Sequence, residues 1–247
     1  MRSPTLHSMQ SAAALVFFLW ITPTAAAPPS FANPKDASSK VSLELYYESL
    51  CPYSASFLIN YLADVVNDEE LNSVVDLYLA PWGNAKTRSN NTFSCQHGPY
   101  ECILNTVEAC AIDVWPSLNE HFPFIQCIET LVNERRYQRW GSCFQLLGVD
   151  PYPIYDCFTS GKGQKLELNY AAATDALDPP HEYVPWVVVN GQPLYEDYEN
   201  FLSYICDAYN GTSTPQACSN TMKMRRSMPS RQVTYNILAE QERSSAL

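Results

Sequence analysis

Basic side chains are scarce in this sequence. Its 247 residues carry 15 Lys and Arg against 26 Asp and Glu, a formal net charge of −11. Between residues 28 and 218 the imbalance deepens, with 9 basic side chains against 24 acidic ones and a net charge of −15. A surface of that sign repels nucleic-acid phosphates and anionic lipid, so neither is expected as a partner; cationic peptides would be attracted. Long apolar runs are also missing. The ten residues "AAALVFFLWI" from Ala12 to Ile21 are too few to span a bilayer, which takes about 20. Preceded by Arg2 and followed by Pro23 and the small residues ending at Ala27, they have the order of a secretory signal peptide over residues 1–27. No later segment reaches transmembrane length, so no membrane insertion is expected after cleavage. Residues 28–40, "PPSFANPKDASSK", read as a linker. The composition excludes a collagen-like, coiled-coil or wholly disordered chain, and 46% hydrophobic content suffices for one large domain or two small ones.

What the sequence does have is cysteine, nine of them. In a secreted chain cysteines are expected to pair, and an odd number leaves at least one thiol free or bonded to another molecule. Two acceptor sequons, Asn90-Asn91-Thr92 and Asn210-Gly211-Thr212, agree with passage through the secretory pathway.

Hydrophobic periodicity gives the architecture. Val41, Leu43, Leu45 and Tyr47 alternate with Ser42, Glu44 and Tyr46 as in a strand, and Phe57, Tyr61, Leu62 and Val65 then follow helical spacing. Val74 to Gly83 reads as a second strand, stopped by Pro81 and Gly83, which completes a βαβ unit. From about 95 to 173 the pattern turns helical and holds six cysteines, with a last helix expected over Gln164 to Ala173. We expect a disulfide-stapled helical insertion there. Strand character returns at Trp186 to Val189, Asn190-Gly191 signals a hairpin, and a closing helix is expected from about Glu196 to Ala208. Residues 219–247 turn basic and lose apolar density, the pattern of a disordered or processed tail.

The stretch "LELYYESLCPYSASF" carries the chemistry. A cysteine at the first turn of a helix meets unpaired N–H groups and the positive end of the helix dipole, both of which favour thiolate over thiol. Pro52 suits the first helical position because it has no N–H to leave unpaired. The thiolate is the attacking species in disulfide exchange, so Cys51 is the candidate nucleophile; its alternative is half of an ordinary disulfide. Three residues on, where a second cysteine would complete a redox pair, stands Ser54, whose hydroxyl is placed to donate a hydrogen bond to the sulfur.

A second stretch, "CQHGPYECILNTVEAC", offers Cys95, His97 and Cys102 as a conceivable zinc set, but no flanking C-x-x-C pair completes a common finger spacing. No metal and no bound cofactor are expected. Cys95-Gln96-His97-Gly98, then Glu101-Cys102, Asn105 and Cys110, resemble the signature of the gamma-interferon-inducible lysosomal thiol reductase family. The resemblance continues through "TDALDPPHEYVPWVVVNG" and covers roughly residues 41–218. It implies an α/β, thioredoxin-like fold with a helical insertion, and reduction of protein disulfides in acidic vesicles, so that the expected destination of the secretory route is a lysosome or vacuole or the outside of the cell. The family's active-site pair falls on Cys51 and Ser54, so the nucleophile carries over and the resolving cysteine does not. By the same likeness Pro185 is a cis-proline facing the nucleophile, and the backbone of Val184 pairs with extended substrate. His97 and His181 are read as structural. The other eight cysteines, 95, 102, 110, 127, 143, 157, 206 and 218, are even in number and allow 105 pairings, among which sequence does not choose.

Serine cannot resolve a mixed disulfide, so three functions stay open. One is a monothiol reductase or isomerase that acts on disulfide-containing proteins and turns over with a small external thiol such as glutathione. The second is a non-catalytic protein that holds extended peptides in the groove near Pro185. The third is a secreted scaffold with no exposed thiol.

Overall fold

The alternation between Val41 and Tyr47 produces strand β1 (Val41–Tyr47), the central strand of the fold. It belongs to a computed structural model that describes residues 40–219. The expected signal peptide, all but the last residue of the linker, and the tail from residue 220 lie outside the described residues.

After β1, helix α1 (Pro52–Phe57) passes through a π-helical turn (Leu58–Leu62) into α2 (Ala63–Asn67). A short α3 (Glu69–Val74), capped by Asp68 through the N–H of Leu71 at 3.0 Å, leads to β2 (Val75–Pro81). The expected second strand is therefore shorter at both ends. Val74 closes α3, a helix with too few apolar positions to show a period, and Gly83 at φ 58 turns the chain away.

A small hairpin of β3 (Lys86–Thr87) and β4 (Phe93–Ser94) precedes the insertion, and Asn90 is exposed in its loop. The insertion consists of α4 (Pro99–Val114), α5 (Leu118–Asn133), α6 (Ser142–Leu147), α7 (Tyr152–Thr159) and α8 (Lys162–Asp175). Strand β5 (Trp186–Val189) then turns through Asn190-Gly191, at φ 47 and 77, into β6 (Gln192–Pro193). Positive φ at both turn residues is what Asn-Gly supplies most readily. The closing helix is split: a 3-10 turn (Tyr195–Asn200) precedes α9 (Phe201–Ala208).

The sheet order is β2-β1-β5-β6, with β2 parallel to β1 and β5 antiparallel to it. Val41 lies opposite Val75 and Tyr47 opposite Pro81, while Leu43 faces Val189 and Tyr46 faces Trp186. This is the expected thioredoxin-like arrangement, with the helical insertion entering between β2 and β5. One face of β1 (Val41, Leu43, Leu45, Tyr47) packs with Phe57, Leu62, Phe122 and Phe201 in the main core. On the other face Tyr46, Trp186 and Val188 pack with Tyr170 and Ala173 of α8.

Four disulfides staple this frame: Cys95–Cys102, Cys110–Cys157, Cys127–Cys143 and Cys206–Cys218. The second joins α4 to α7 across 47 residues, a closure that chain entropy values at about 4 kcal/mol. Beside it α8 comes so close to α4 that a Cβ on Gly163 would sit 2.5 Å from Thr106 Cγ2 and 3.0 Å from Cys110 Sγ. Neither neighbour yields easily, one being β-branched and the other bridged. Gly163→Ala should therefore destabilise the oxidised protein by about 1–3 kcal/mol, read as a lower urea midpoint. An unchanged midpoint would mean that α8 can slide.

Candidate active site

Tyr47 ends β1, and the next four residues turn so that the Cys51 N–H donates to the Glu48 carbonyl at 3.2 Å. The insertion grips this turn from the side. Asn105 Oδ1 accepts the Ser49 N–H at 2.9 Å, and Ser49 Oγ donates to the Glu101 carbonyl at 3.3 Å. Glu48 Oε2 accepts the Asn84 N–H at 2.9 Å, and its Oε1 lies 3.3 Å from His97 Nδ1. The same imidazole nitrogen bonds Glu101 Oε2 at 2.5 Å. Gln96 Oε1 accepts from Asn84 Nδ2 at 2.7 Å, Gly98 supplies φ 96 before α4, and Cys95–Cys102 closes the loop. Every polar member of the expected signature thus holds the turn that carries Cys51.

With Cys95 and Cys102 bonded to each other, the zinc set considered for them does not form. His97 meets Glu48 and Glu101 instead, with ligand atoms within 4.8 Å of one another. The imidazole hydrogen bond and the Asn84 contact account for this cluster as a clamp.

Cys51 is the one unpaired cysteine of the nine, 5% exposed, at the N-cap of α1. Its carbonyl accepts the first helical bond, from the Ala55 N–H at 3.0 Å. Its backbone is extended, φ −74 and ψ 119, and Sγ makes no capping bond to the helix. Sγ instead donates to the Val184 carbonyl at 3.8 Å, and the bond from Val184 to Pro185 is cis. Cys51, Val184 and Pro185 therefore come together as expected. The bond expected from Ser54 to the sulfur does not: Ser54 is fully buried and its Oγ has no hydrogen-bond partner. The two residues stand at the N-cap and N3 positions, which side chains can bridge, but Cys51 Sγ is engaged by the Val184 carbonyl instead. His181 lies apart, in a cavity of about 480 Å³ with Trp82, Lys86 and Asp175.

Residues 42–147 match the family model described as Gamma interferon inducible lysosomal thiol reductase. The gamma-interferon-responsive lysosomal thiol protein of Arabidopsis thaliana is 41% identical over 194 residues, 77% of this chain and 80% of that protein. The chain belongs to this family. The gamma-interferon-inducible lysosomal thiol reductase of Mus musculus is 39% identical over 195 residues, 76% of this chain and 75% of its own. Among solved structures, BdbD from Bacillus subtilis superposes with a TM-score of 0.50 at 12% identity, covering 72% of this chain and 91% of that one. At that identity the likeness concerns the fold alone.

No sequence pattern announces what lies beneath the site in this family member. Glu108 and Glu129 are fully buried, as is Glu167 of α8, with no cation beside them among the described residues. Tyr47 donates to Glu108 Oε2 at 2.6 Å. Two ionised carboxylates have no hydrogen to share, so both Glu129 oxygens stand without a donor until the pair takes up a proton. Burial pushes the Glu108 carboxyl up to about 7, against the hydrogen bonds from Tyr47 and Glu129. Burial, then the charge of Glu108, raises Glu129 well above the ordinary carboxyl range, and burial followed by Glu108 does the same to Glu167.

Two tests follow from this geometry. Asn105→Ala strands the Ser49 N–H and should cost about 1–3 kcal/mol, while loosening Cys51 enough to change its rate of alkylation. An unaltered rate would remove Asn105 from the positioning of the thiol. The second concerns pH. Carboxyls raised on folding stabilise fully below their unfolded value near 4.5, and that stabilisation is lost as pH climbs through about 7. His121 and His181, lowered by burial, act oppositely, but their effect is complete above the ordinary histidine value of about 6.5. The urea midpoint should therefore fall between about pH 6.5 and 8, and Glu129→Gln should flatten the fall. A midpoint that rises over this range would contradict the buried-acid assignment.

Proposed function

We propose that this chain reduces or isomerises protein disulfides by thiol–disulfide exchange through Cys51 alone, with an external thiol such as glutathione completing each cycle. One observation carries the reading: the single unpaired cysteine caps a helix beside a cis-proline, in a chain whose family is named for thiol reduction. Cys51 thiolate attacks one sulfur of the substrate disulfide, and the other sulfur leaves as a thiol after taking a proton. The mixed disulfide then needs a second thiol. Ser54 cannot supply it, so release comes from outside or from another cysteine of the substrate. The Val184 carbonyl, beside Sγ, is suited to pair with the backbone of an extended substrate once the thiol proton has gone. Four disulfides and lysosomal relatives are in keeping with a secretory or lysosomal setting.

A non-catalytic peptide-holding protein is the second reading, and Ser54 at the resolving position is the observation that favours it. The variants separate the two. Because Ser54 Oγ makes no hydrogen bond, Ser54→Cys sacrifices none and should fold normally. Wild type given a protein disulfide and little thiol should accumulate a mixed disulfide at Cys51, visible by mass. Glutathione should release it and speed reduction; Ser54→Cys should depend less on glutathione, and Cys51→Ser should show neither adduct nor activity. If Ser54→Cys gains nothing on any disulfide while wild type binds unfolded peptide at Pro185, the holding protein is the correct reading.

A further inference from the structure

Helix α5 ends on an arginine where helices commonly end on glycine. The Arg136 N–H donates to the Leu131 carbonyl at 2.7 Å and the Arg135 N–H to the Val132 carbonyl at 2.8 Å, the paired bonds of a Schellman cap. They hold Arg135 at φ 57, a conformation that strains any residue bearing a Cβ and that glycine adopts freely. A side chain kept at such a position points to a use for it. Arg136 is spoken for by Glu134 at 2.8 Å, whereas Arg135 has no ion pair or hydrogen bond from its guanidinium among the described residues.

Arg135 lines a cleft of about 430 Å³ together with Leu50, Pro52, His97, Val132, Asn133 and Tyr137. Leu50 and Pro52 are the chain neighbours of Cys51, so the cleft flanks the turn that carries the nucleophile. Its size suits a ligand of tripeptide scale, since small-molecule pockets run from about 300 to 1,000 Å³. Its charge is unusual for this chain. Its lining holds Arg135, one of the 9 basic side chains between residues 28 and 218, and no acidic side chain, in a stretch whose net charge is −15. An anion approaching this molecule is repelled elsewhere and drawn here.

We propose that this cleft binds the reducing co-substrate, a small anionic peptide thiol of the glutathione class, through a carboxylate on Arg135. The inference rests on Cys51 being the nucleophile. The cleft then serves the second half of the exchange. A bound thiolate attacks the Cys51 sulfur of the mixed disulfide, the Cys51–substrate S–S bond breaks, and the substrate leaves as a thiol. A second glutathione attacks the glutathione sulfur now on Cys51, giving oxidised glutathione and free Cys51 thiolate. Two glutathiones are oxidised and one substrate disulfide is reduced, so atoms and electrons balance.

The test loads Cys51 with uncharged thiopyridine from 4,4′-dithiodipyridine and follows thiopyridone release by glutathione, by neutral β-mercaptoethanol and by cationic cysteamine. Wild type should show saturation with glutathione. Arg135→Gly should slow glutathione about three- to tenfold, the weight of one charge-assisted contact in an open cleft, and leave β-mercaptoethanol within about twofold. Arg135→Glu should slow glutathione further and speed cysteamine. Arg135→Gly should also melt no lower than wild type, because glycine relieves the strained cap; a structural arginine would show the opposite. Arg135→Asn, also tolerant of positive φ, serves as the second neutral variant if the glycine protein folds poorly. Equal slowing of all three thiols, or no slowing, overturns the co-substrate site. So does an effect confined to adduct formation with protein substrates, which would assign Arg135 to the substrate. If no adduct forms at Cys51 at all, it is the nucleophile that fails, a result distinguishable from the others.

Discussion

The grip of α4 on the turn between β1 and α1 is the constraint on which this site depends. A nucleophile at a strand-to-helix corner must be held in one position, and a corner alone is a soft place. Here Glu101, Asn105 and His97 take hold of Glu48 and Ser49, the residues that place Cys51 against the Val184 carbonyl. Sheet and insertion are thereby joined at the one point where reaction geometry matters. The short Cys95–Cys102 loop keeps the gripping residues in place, while Cys110–Cys157 fixes α4 to α7 behind them. Preorganisation of this kind is bought by disulfides whose entropy cost falls on the unfolded chain.

Much of the frame was legible because strand and helix periods are local properties. Val41 to Tyr47 alternates so regularly that the strand falls where expected, and Asn190-Gly191 allowed few alternatives to a hairpin. The family signature also marked which residues matter, though not how. Glu48 and Glu101 are 53 positions apart in the numbering, and nothing local says that they share one imidazole. Disulfide pairing escaped for the same reason. The short α3 and the β3–β4 hairpin were missed because two or three apolar residues establish no period. The expected bond from Ser54 to the sulfur failed because Cys51 Sγ turns to the carbonyl of Val184, a partner 133 positions away that no local pattern announces.

Ser54 also shows how little a fold needs to change for its chemistry to be divided between molecules. Its hydroxyl is buried without a partner, a state that costs about 1–3 kcal/mol for a polar group. A thiol there would meet a smaller penalty, being a weaker hydrogen-bonding group. The serine therefore brings no stability that the structure reveals. Its effect is chemical: the intramolecular second step is removed, and the adduct lasts until another thiol reaches it.

The buried acids set the conditions in which such a site is most secure. Glu108 and Glu129 beside Tyr47, with Glu167 within reach of the Glu108 charge and no cation among the described residues, repel one another when ionised, and the Glu108–Glu129 pair can share a hydrogen bond once protonated. The fold is therefore relieved by acid over a range where most carboxylate-rich proteins are unaffected. Negative charge on Cys51 is among the influences that raise Glu129, after burial and Glu108. Tyr47 lies on β1 and Glu108 on α4, so proton uptake by the buried acids steadies the same junction through which Asn105 holds the turn that carries the nucleophile.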